Sequence, residues 1–525
     1  MNFYNRNHHD AVNRCRRIVV QYDANSDLGV DFNEWIAYRF HYIDEPGNQI
    51  DSVWWDIGAG RWAVYPSGIL ERFDHHGLQK WWNQGIDWVQ ELVNESKKRE
   101  LEVFWNYRIS EVDIPSTGDG LDMKELNPVK KAHPDWVIKT WWWQGLWNLA
   151  IPEVRQYQLS ILQELAEKYE FDGIQLDFAR HVPCLPPGRQ WELCDHVTEF
   201  VRMVRIMLLD IEKKRGLPFL LAVKVPQNME GCYADGFDVK TWAQQNLVDI
   251  FTLGSRSMDV DIDAFRQITS GRNIKLQPCL DDHHSTDGYR FPSIEFFRGV
   301  FGNWWQQGAD SVVTFNWSNA SPDVCDEVAK SWGIKPYNWG PISHGQAYHE
   351  IGSPETLAYK DKFFAVERRG GYPWAEGFFG RNDTALLPVV LANDGRYANL
   401  IMRICDNVRV YPDKIKKITL RTVLFGASEG DRFEVQLNGV ALPLEIQDYQ
   451  WKDPQIFSPN PQSISGGDGR YTVNPGQKLL RLDFTVPSGL CHLGENQASV
   501  FIVDRIPYVC TDILLEKLEI HIKYH

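Results

Sequence analysis

Two rhythms of apolar residues divide this chain. In the first, short apolar runs alternate with longer segments whose apolar positions recur at helical spacing; in the second, beginning near residue 352, apolar and polar residues alternate one by one. A period of two marks a strand with one buried face, and a period near 3.6 marks an amphipathic helix. The apolar runs of the first part predict eight strands, at 17–23, 51–57, 101–107, 173–176, 219–225, 248–253, 274–279 and 311–316. Between them lie helical patterns at 31–40, 78–99, 152–169 and 191–215, with another opened by Pro292 that carries Phe297, Phe301 and Trp304 on one side. Eight strands alternating with helices specify a (β/α)8 TIM barrel more readily than an open sheet.

The second part predicts strands at 363–367, 398–404, 415–423, 432–437, 479–484, 498–503 and 515–524. In the last of these Leu518, Ile520, Ile522 and Tyr524 alternate with Lys517, Glu519, His521 and Lys523. That pattern belongs to a sheet with one face buried. Asn438-Gly439 marks a hairpin turn. The expected organisation is therefore a barrel over 14–345 followed by an all-β sandwich over 352–525.

Alternation also says which side chains point into the barrel. At the strand tips it turns Asp23, Asp56, Asn106, Arg108, Asp177, Lys224, Asp281 and Asn316 towards the axis. The C-terminal ends of barrel strands meet at one face, where the chemistry of such folds resides. A polar ring there suits a polar, uncharged or mixed-charge ligand. Paired carboxylates around such a pocket are what glycosidic cleavage requires. One acid protonates the leaving oxygen and a second acts as nucleophile, about 5 Å away, or as base towards water, about 6.5 to 9.5 Å away. Asp177 is the first candidate, Asp281 its preferred partner and Asp56 the next, with Glu230 a further possibility. For substrate binding the candidates are the remaining tips Asp23, Asn106, Arg108, Lys224 and Asn316, their neighbours Arg180, His181, Asp282 and Trp317, and Trp142 in the long loop after the third strand.

Composition narrows the partners. A net charge of -15 without a long basic run argues against nucleic acid and against an anionic membrane surface. No uninterrupted apolar run is long enough to span a bilayer, and the N-terminal stretch lacks the apolar segment of a secretory signal, so a cytoplasmic location is expected. Nine scattered cysteines without a CxxC pair fit reduced thiols. The 22 tryptophans include the clusters Trp54-Trp55, Trp81-Trp82, Trp141-Trp142-Trp143 and Trp304-Trp305. Neighbouring residues point in different directions, so some of these rings are expected to line a groove where sugar faces can stack. Cofactor signatures are missing: there is no GxxxxGK[ST] loop, no HExxH and no GxSxG, and the first strand ends without HxH. Asp281-Asp282-His283-His284 could in principle supply metal ligands, but a solvated loop explains it more simply, and no cofactor is expected.

The segment Asp172-Gly173-Ile174-Gln175-Leu176-Asp177-Phe178-Ala179-Arg180-His181 resembles the DGI-x-LD-x-x-R-[HY] strand of bacterial glycoside hydrolase-like barrel proteins of the family-10-like group. Ala132-His133-Pro134-Asp135-Trp136 and the stretch from Arg298 to Phe315-Asn316-Trp317 look like the same group. The resemblance implies a carbohydrate-active barrel enzyme with Asp177 at its catalytic centre and a C-terminal sandwich. More distantly, the strand looks like the nucleophile strand of the alpha-amylase superfamily. There the sequence departs, with Gln175 in place of the arginine and Lys224 where an acid/base glutamate would stand.

Overall fold

The computed structural model describes residues 6–24, 28–56, 62–73, 75–110, 127–140, 144–255, 257–281, 288–289, 292–317, 344–368, 385–453 and 477–525. Eight parallel strands close a barrel: β1 (Ile18–Asp23), β2 (Ile50–Asp56), β3 (Glu102–Arg108), β4 (Gly173–Asp177), β5 (Leu220–Val225), β6 (Ile250–Leu253), β7 (Lys275–Asp281) and β8 (Val312–Phe315). Each strand pairs with its neighbours in sequence, and β8 returns to β1 through Ile18 opposite Val312. All eight predicted strands are present, with ends displaced by no more than two residues. The pattern 78–99, expected as one helix, is two, His76–Asn83 and Trp88–Lys98, because the chain turns at Gly85 with φ +76°. The loop after β3 also has structure of its own, a short helix Pro128–Ala132 and a hairpin pairing Val137–Ile138 with Leu146–Trp147.

The barrel has two cores, one inside the cylinder and one between strands and helices. Val19, Trp54, Phe104, Ala222, Ile250, Cys279, Val313 and Phe315 fill the inside. Trp54 lies flat on Phe104, centroids 4.4 Å apart and planes 3° from parallel. Gly173 makes room for that ring, since a Cβ there would stand 2.3 Å from Phe104 carbons. Trp55, next in sequence, points outward into the helical layer against Tyr22 and Phe40. Of the paired tryptophans, Trp54 and Trp55 are both fully buried, one on each face of β2, because a barrel strand has a dry core on each side. Trp81 and Trp304 are fully buried on helices, while Trp82, beneath Arg72, and Trp305, which donates to the Ile351 carbonyl at 2.7 Å, are partly buried. Trp141, Trp142 and Trp143 lie outside the described residues.

Polar groups close the N-terminal end of the barrel. Arg16 pairs with Glu102 at 2.6 Å, and Glu102 also accepts from Ser52 Oγ at 2.8 Å. The helix Arg6–Val12 brings His8 between Glu212 (2.6 Å) and Asp249 (3.1 Å), and Arg205 pairs with Asp249 at 2.8 Å. Burial alone would lower the His8 pKa, but its hydrogen bonds to Asp249 and Glu212 and the Asp249 charge outweigh burial and the opposing Arg205 charge, raising it to about 9.

After the barrel, antiparallel strands form two sheets. The first has the order β9 (Lys362–Ala365), β18 (Ile513–Tyr524), β12 (Ile415–Phe425), β16 (Leu479–Thr485), β15 (Leu444–Trp451), and β10 (Val389–Leu391) also pairs with β18. The second has the order β11 (Ala398–Ile404), β17 (Gly494–Asp504), β13 (Arg432–Leu437), β14 (Val440–Ala441). Their inner faces share one apolar core that includes Leu400, Met402, Leu420, Val435, Leu482, Val500, Leu518 and Ile520. This is the expected sandwich, with β10, β14 and β15 added to the predicted strands. The helix Ile294–Gln306 joins sandwich to barrel: Gly299 faces the Phe363 carbonyl so closely that any Cβ would clash, and Arg298 pairs with Glu350 at 2.6 Å. Among the described residues no helix is long and apolar enough to cross a membrane, and the eight described cysteines are free thiols.

Two outcomes follow for stability. The folded His8 pKa lies above its ordinary 6.5, so its contribution is complete below pH 6.5 and is lost as pH rises through about 9. The urea midpoint is expected to fall across that window in the parent chain and to stay flat in His8→Gln. Gly173→Ala should cost about 1–3 kcal/mol in chemical unfolding by forcing Phe104 off its stack with Trp54.

Candidate active site

Strand ends bring the site together. Asp177 is the last residue of β4, level with Arg108 of β3 on one side and Lys224 of β5 on the other. Its side chain is wholly buried. One carboxylate oxygen, Oδ1, accepts from the Ala179 amide at 3.1 Å. The other, Oδ2, has no hydrogen-bond donor among the described residues and faces the Lys224 ammonium at 3.8 Å. Lys224 donates to Gln21 Oε1 at 3.1 Å and lies 4.0 Å from the centre of the Phe315 ring.

Arg108 organises the opposite side. Its buried guanidinium pairs with Asp56 Oδ2 at 2.8 Å and with Asp23, joining two carboxylates through one cation. Asp56 also accepts from Asn106 Nδ2 at 2.9 Å, and Asp23 accepts from Asn316 Nδ2 at 3.0 Å. Asp23 is the partly exposed member of this group. Alternation had turned Asn316 inward, but the inward residues of β8 are Val313 and Phe315. Asn316 lies one residue beyond the strand and reaches Asp23 because its backbone is left-handed, φ +61°.

Phe315 is the residue that sequence reasoning passed over. Arg180 and Arg108 stand 5.5 and 6.0 Å from its ring centre, so three cations, with Lys224 nearest, surround one aromatic face. Alternation counted from Asn316 puts Phe315 on the outer face, and the structure reverses that parity. Asp281, level with Phe315 in the β7–β8 pairing, is fully buried. Burial pushes the neighbouring Cys279 thiol up to about 11; Lys224 opposes that shift, while Asp177 and Asp281 reinforce it. Asp281 lies two residues beyond Cys279 on β7, and Asp177 and Lys224 are level with each other on β4 and β5. Below them a polar belt crosses the barrel, with Gln175 and Gln277 both donating to Thr252 Oγ1, at 2.6 and 2.8 Å.

The structure thus groups Asp23, Asp56, Asn106, Arg108, Asp177, Arg180, Lys224, Asp281 and Asn316 at one end of the barrel. His181 follows Arg180, buried and with φ +57°. Trp317 does not join them. It is fully buried among Phe297, Phe301 and His344 and donates its indole hydrogen to the Leu280 carbonyl at 3.0 Å, so it serves the core and not a ligand. Trp142 and Asp282, with His283 and His284, lie outside the described residues. Among the described residues no group of three or more His, Cys, Asp or Glu is placed to hold a metal ion.

Residues 41–185 match the family model described as glycosyl hydrolase-like 10. The likeness first read from Asp172–His181 is borne out over a stretch that contains β2, β3 and β4 and, with them, Asp56, Asn106, Arg108 and Asp177. Glycosyl hydrolase DigH of Escherichia coli strain K12 is 31% identical over 139 residues, which is 24% of this chain and 30% of that protein. The chain thus spans less than a third of the length of the relatives it matches in sequence. Among solved structures it is similar to the PgaB (BpsB) glycoside hydrolase domain from Bordetella bronchiseptica, at 11% identity and TM-score 0.43, covering 65% of this chain and 99% of that one. It is also similar to an alpha-amylase from Geobacillus thermoleovorans, at 13% identity and TM-score 0.37, covering 91% of this chain and 99% of that one.

Arg108 holds a buried carboxylate on one side and a half-open one on the other. Arg108→Met should therefore destabilise the protein by about 3 kcal/mol or more in urea unfolding, because Asp56 is left buried without its cation. A second change, Asp56→Asn, should restore part of that loss.

Proposed function

We propose that the chain is a glycoside hydrolase that cleaves an O-glycosidic bond of an oligosaccharide or glycoside, with Asp177 at the reacting centre. The observation that carries this reading is the uncommitted Oδ2 of Asp177, buried at the strand end beside Lys224. A carboxylate held by one amide and one cation, with an oxygen left over, suits attack on an anomeric carbon or activation of water. Asp281 is the partner assigned to protonate the leaving oxygen, since it is fully buried at the last position of β7, at the same end of the barrel as Asp177. Asp56 ranks lower than it did by sequence, because Asn106 and Arg108 already engage it. Asp23, Asn106, Arg108, Arg180 and Asn316 supply donors and acceptors for sugar hydroxyls, and the Phe315 ring gives the site an apolar wall.

A non-catalytic carbohydrate-binding barrel is the second reading. It is favoured by Lys224, a cation where a second carboxylate on β5 would complete a pair with Asp177.

The deciding experiment follows reducing ends released from a panel of neutral oligosaccharides. Asp177→Asn should lower turnover by at least about a thousandfold, while its far-UV circular dichroism at 20 °C stays that of the parent, because the amide keeps the shape of the carboxylate. Unchanged turnover in that variant would remove the assignment. A parent chain that binds these sugars and cleaves none would establish the binding barrel instead.

A further inference from the structure

The outer face of the second sheet is composed unlike an ordinary solvated surface. Strands β11, β17 and β13 place their outward residues in rows, fixed by the pairing of Asn399 with Ser499, Ile401 with Gln497, Arg403 with Glu495, and Glu434 with Phe501. At one end Tyr397, which precedes β11, leans on Phe501 with centroids 4.2 Å apart. Gln436 donates to the Tyr397 hydroxyl at 3.0 Å. In the next row Asn399 Oδ1 accepts from Ser499 Oγ at 2.6 Å and from Gln497 Nε2 at 3.2 Å, while its amide nitrogen has no partner among the described residues. Tyr397, Asn399, Ile401 and Gln497 are exposed. Aromatic rings beside carboxamides, with no lysine among these rows, match sugar chemistry. The rings meet C–H faces, and the amides bridge neighbouring hydroxyls.

The rows lead somewhere. Arg403, the last outward residue of β11, lines a cavity of about 330 Å³ together with Gln227, Glu230, Asp259, Asp261 and Glu367. Gln227 and Glu230 follow β5, and Asp259 and Asp261 follow β6, so this cavity opens at the same end of the barrel as Asp177. Its size lies within the roughly 300–1,000 Å³ typical of small-ligand sites. Arg403 is engaged by Glu495 at 2.9 Å and Asp263 at 3.2 Å, so the carboxylates of the cavity leave it without spare positive charge.

We propose that the cavity and the outer sheet face form one track for a neutral glycan chain, leading from the C-terminal end of the barrel onto the sandwich. This rests on the reading of the barrel as a glycoside hydrolase. The acidic cavity rejects uronic-acid and sulfated chains, and the Tyr397–Phe501 platform holds the distal sugars. The track therefore gives preference for long chains over short ones without touching the reacting bond.

The test uses the full chain carrying Asp177→Asn, so that ligands stay whole, and calorimetric titration with neutral hexasaccharides and disaccharides of glucose, mannose, galactose and N-acetylglucosamine. At least one hexasaccharide should bind, and adding Tyr397→Ala or Gln436→Ala should weaken it by about tenfold, as for loss of one anchoring contact. Disaccharide binding should not change. The track is overturned if no hexasaccharide binds, if neither substitution matters, or if a polyuronate hexasaccharide binds more tightly than the neutral ones. Turnover by the chain with Asp177 intact separates the two proposals. Hexasaccharide binding through Tyr397 without any cleavage removes the hydrolase reading and keeps the track; cleavage with Tyr397→Ala indistinguishable from the parent removes the track alone.

Discussion

Charge inside a closed barrel has to be balanced locally, and the end of the cylinder that carries Asp177 is built around that requirement. Water cannot solvate a carboxylate whose side chain is wholly covered, and an unpaired buried charge costs several kcal/mol. Four carboxylates, Asp23, Asp56, Asp177 and Asp281, share this end with three cations, Arg108, Arg180 and Lys224. Arg108 engages two of the four, one through Nε and one through Nη2 of its planar fork of donors. That pairing leaves Lys224 to Asp177 at a distance of 3.8 Å, an ion pair too long for a direct hydrogen bond. The same pairing therefore explains both how the polar ring folds and why one carboxylate oxygen is left without a donor among the described residues.

Aromatic rings solve a related problem. The cations converge on Phe315, whose ring face carries partial negative charge and lets them approach one another without a further acid. Deeper in the barrel, Trp54 and Phe104 stack to fill the axis, and Gly173 at the start of β4 gives them space. The strand that ends on Asp177 thus begins at the tightest point of the internal core. Its tip is held by packing from below as much as by pairing from the sides. The adjacent Trp54 and Trp55 follow the same geometry, since a barrel strand meets a dry core on both faces and both indoles can be buried.

The sandwich is tied into the barrel and does not merely follow it. Glu367 accepts from Ser257 and from the Asp259 amide in the segment after β6, and Tyr289 and Gly288, beyond β7, are held by Glu519 and Lys517 of β18. These contacts lie at the end of the barrel where the strands deliver their polar tips. The second domain consequently shapes the surroundings of the site even though, among the described residues, none of it enters the polar ring.

Period and spacing in the sequence determined the fold to a useful degree: eight buried runs alternating with helices, then single-residue alternation, have few compact solutions other than a barrel and a sandwich. The inward tips Asp23, Asp56, Asn106, Arg108, Asp177, Lys224 and Asp281 were legible for the same reason, because a strand has two faces and the parity of one residue sets the rest. What the tertiary structure decided is where long-range partners and backbone turns override parity. The sharing of Arg108 between Asp23 and Asp56 joins residues far apart in the chain, the left-handed turn at Asn316 brings a residue of the wrong parity back to the site, and Trp317 is drawn into the core by Phe297 and His344. Each depends on which strands become neighbours when the barrel closes, a distance that no local pattern records.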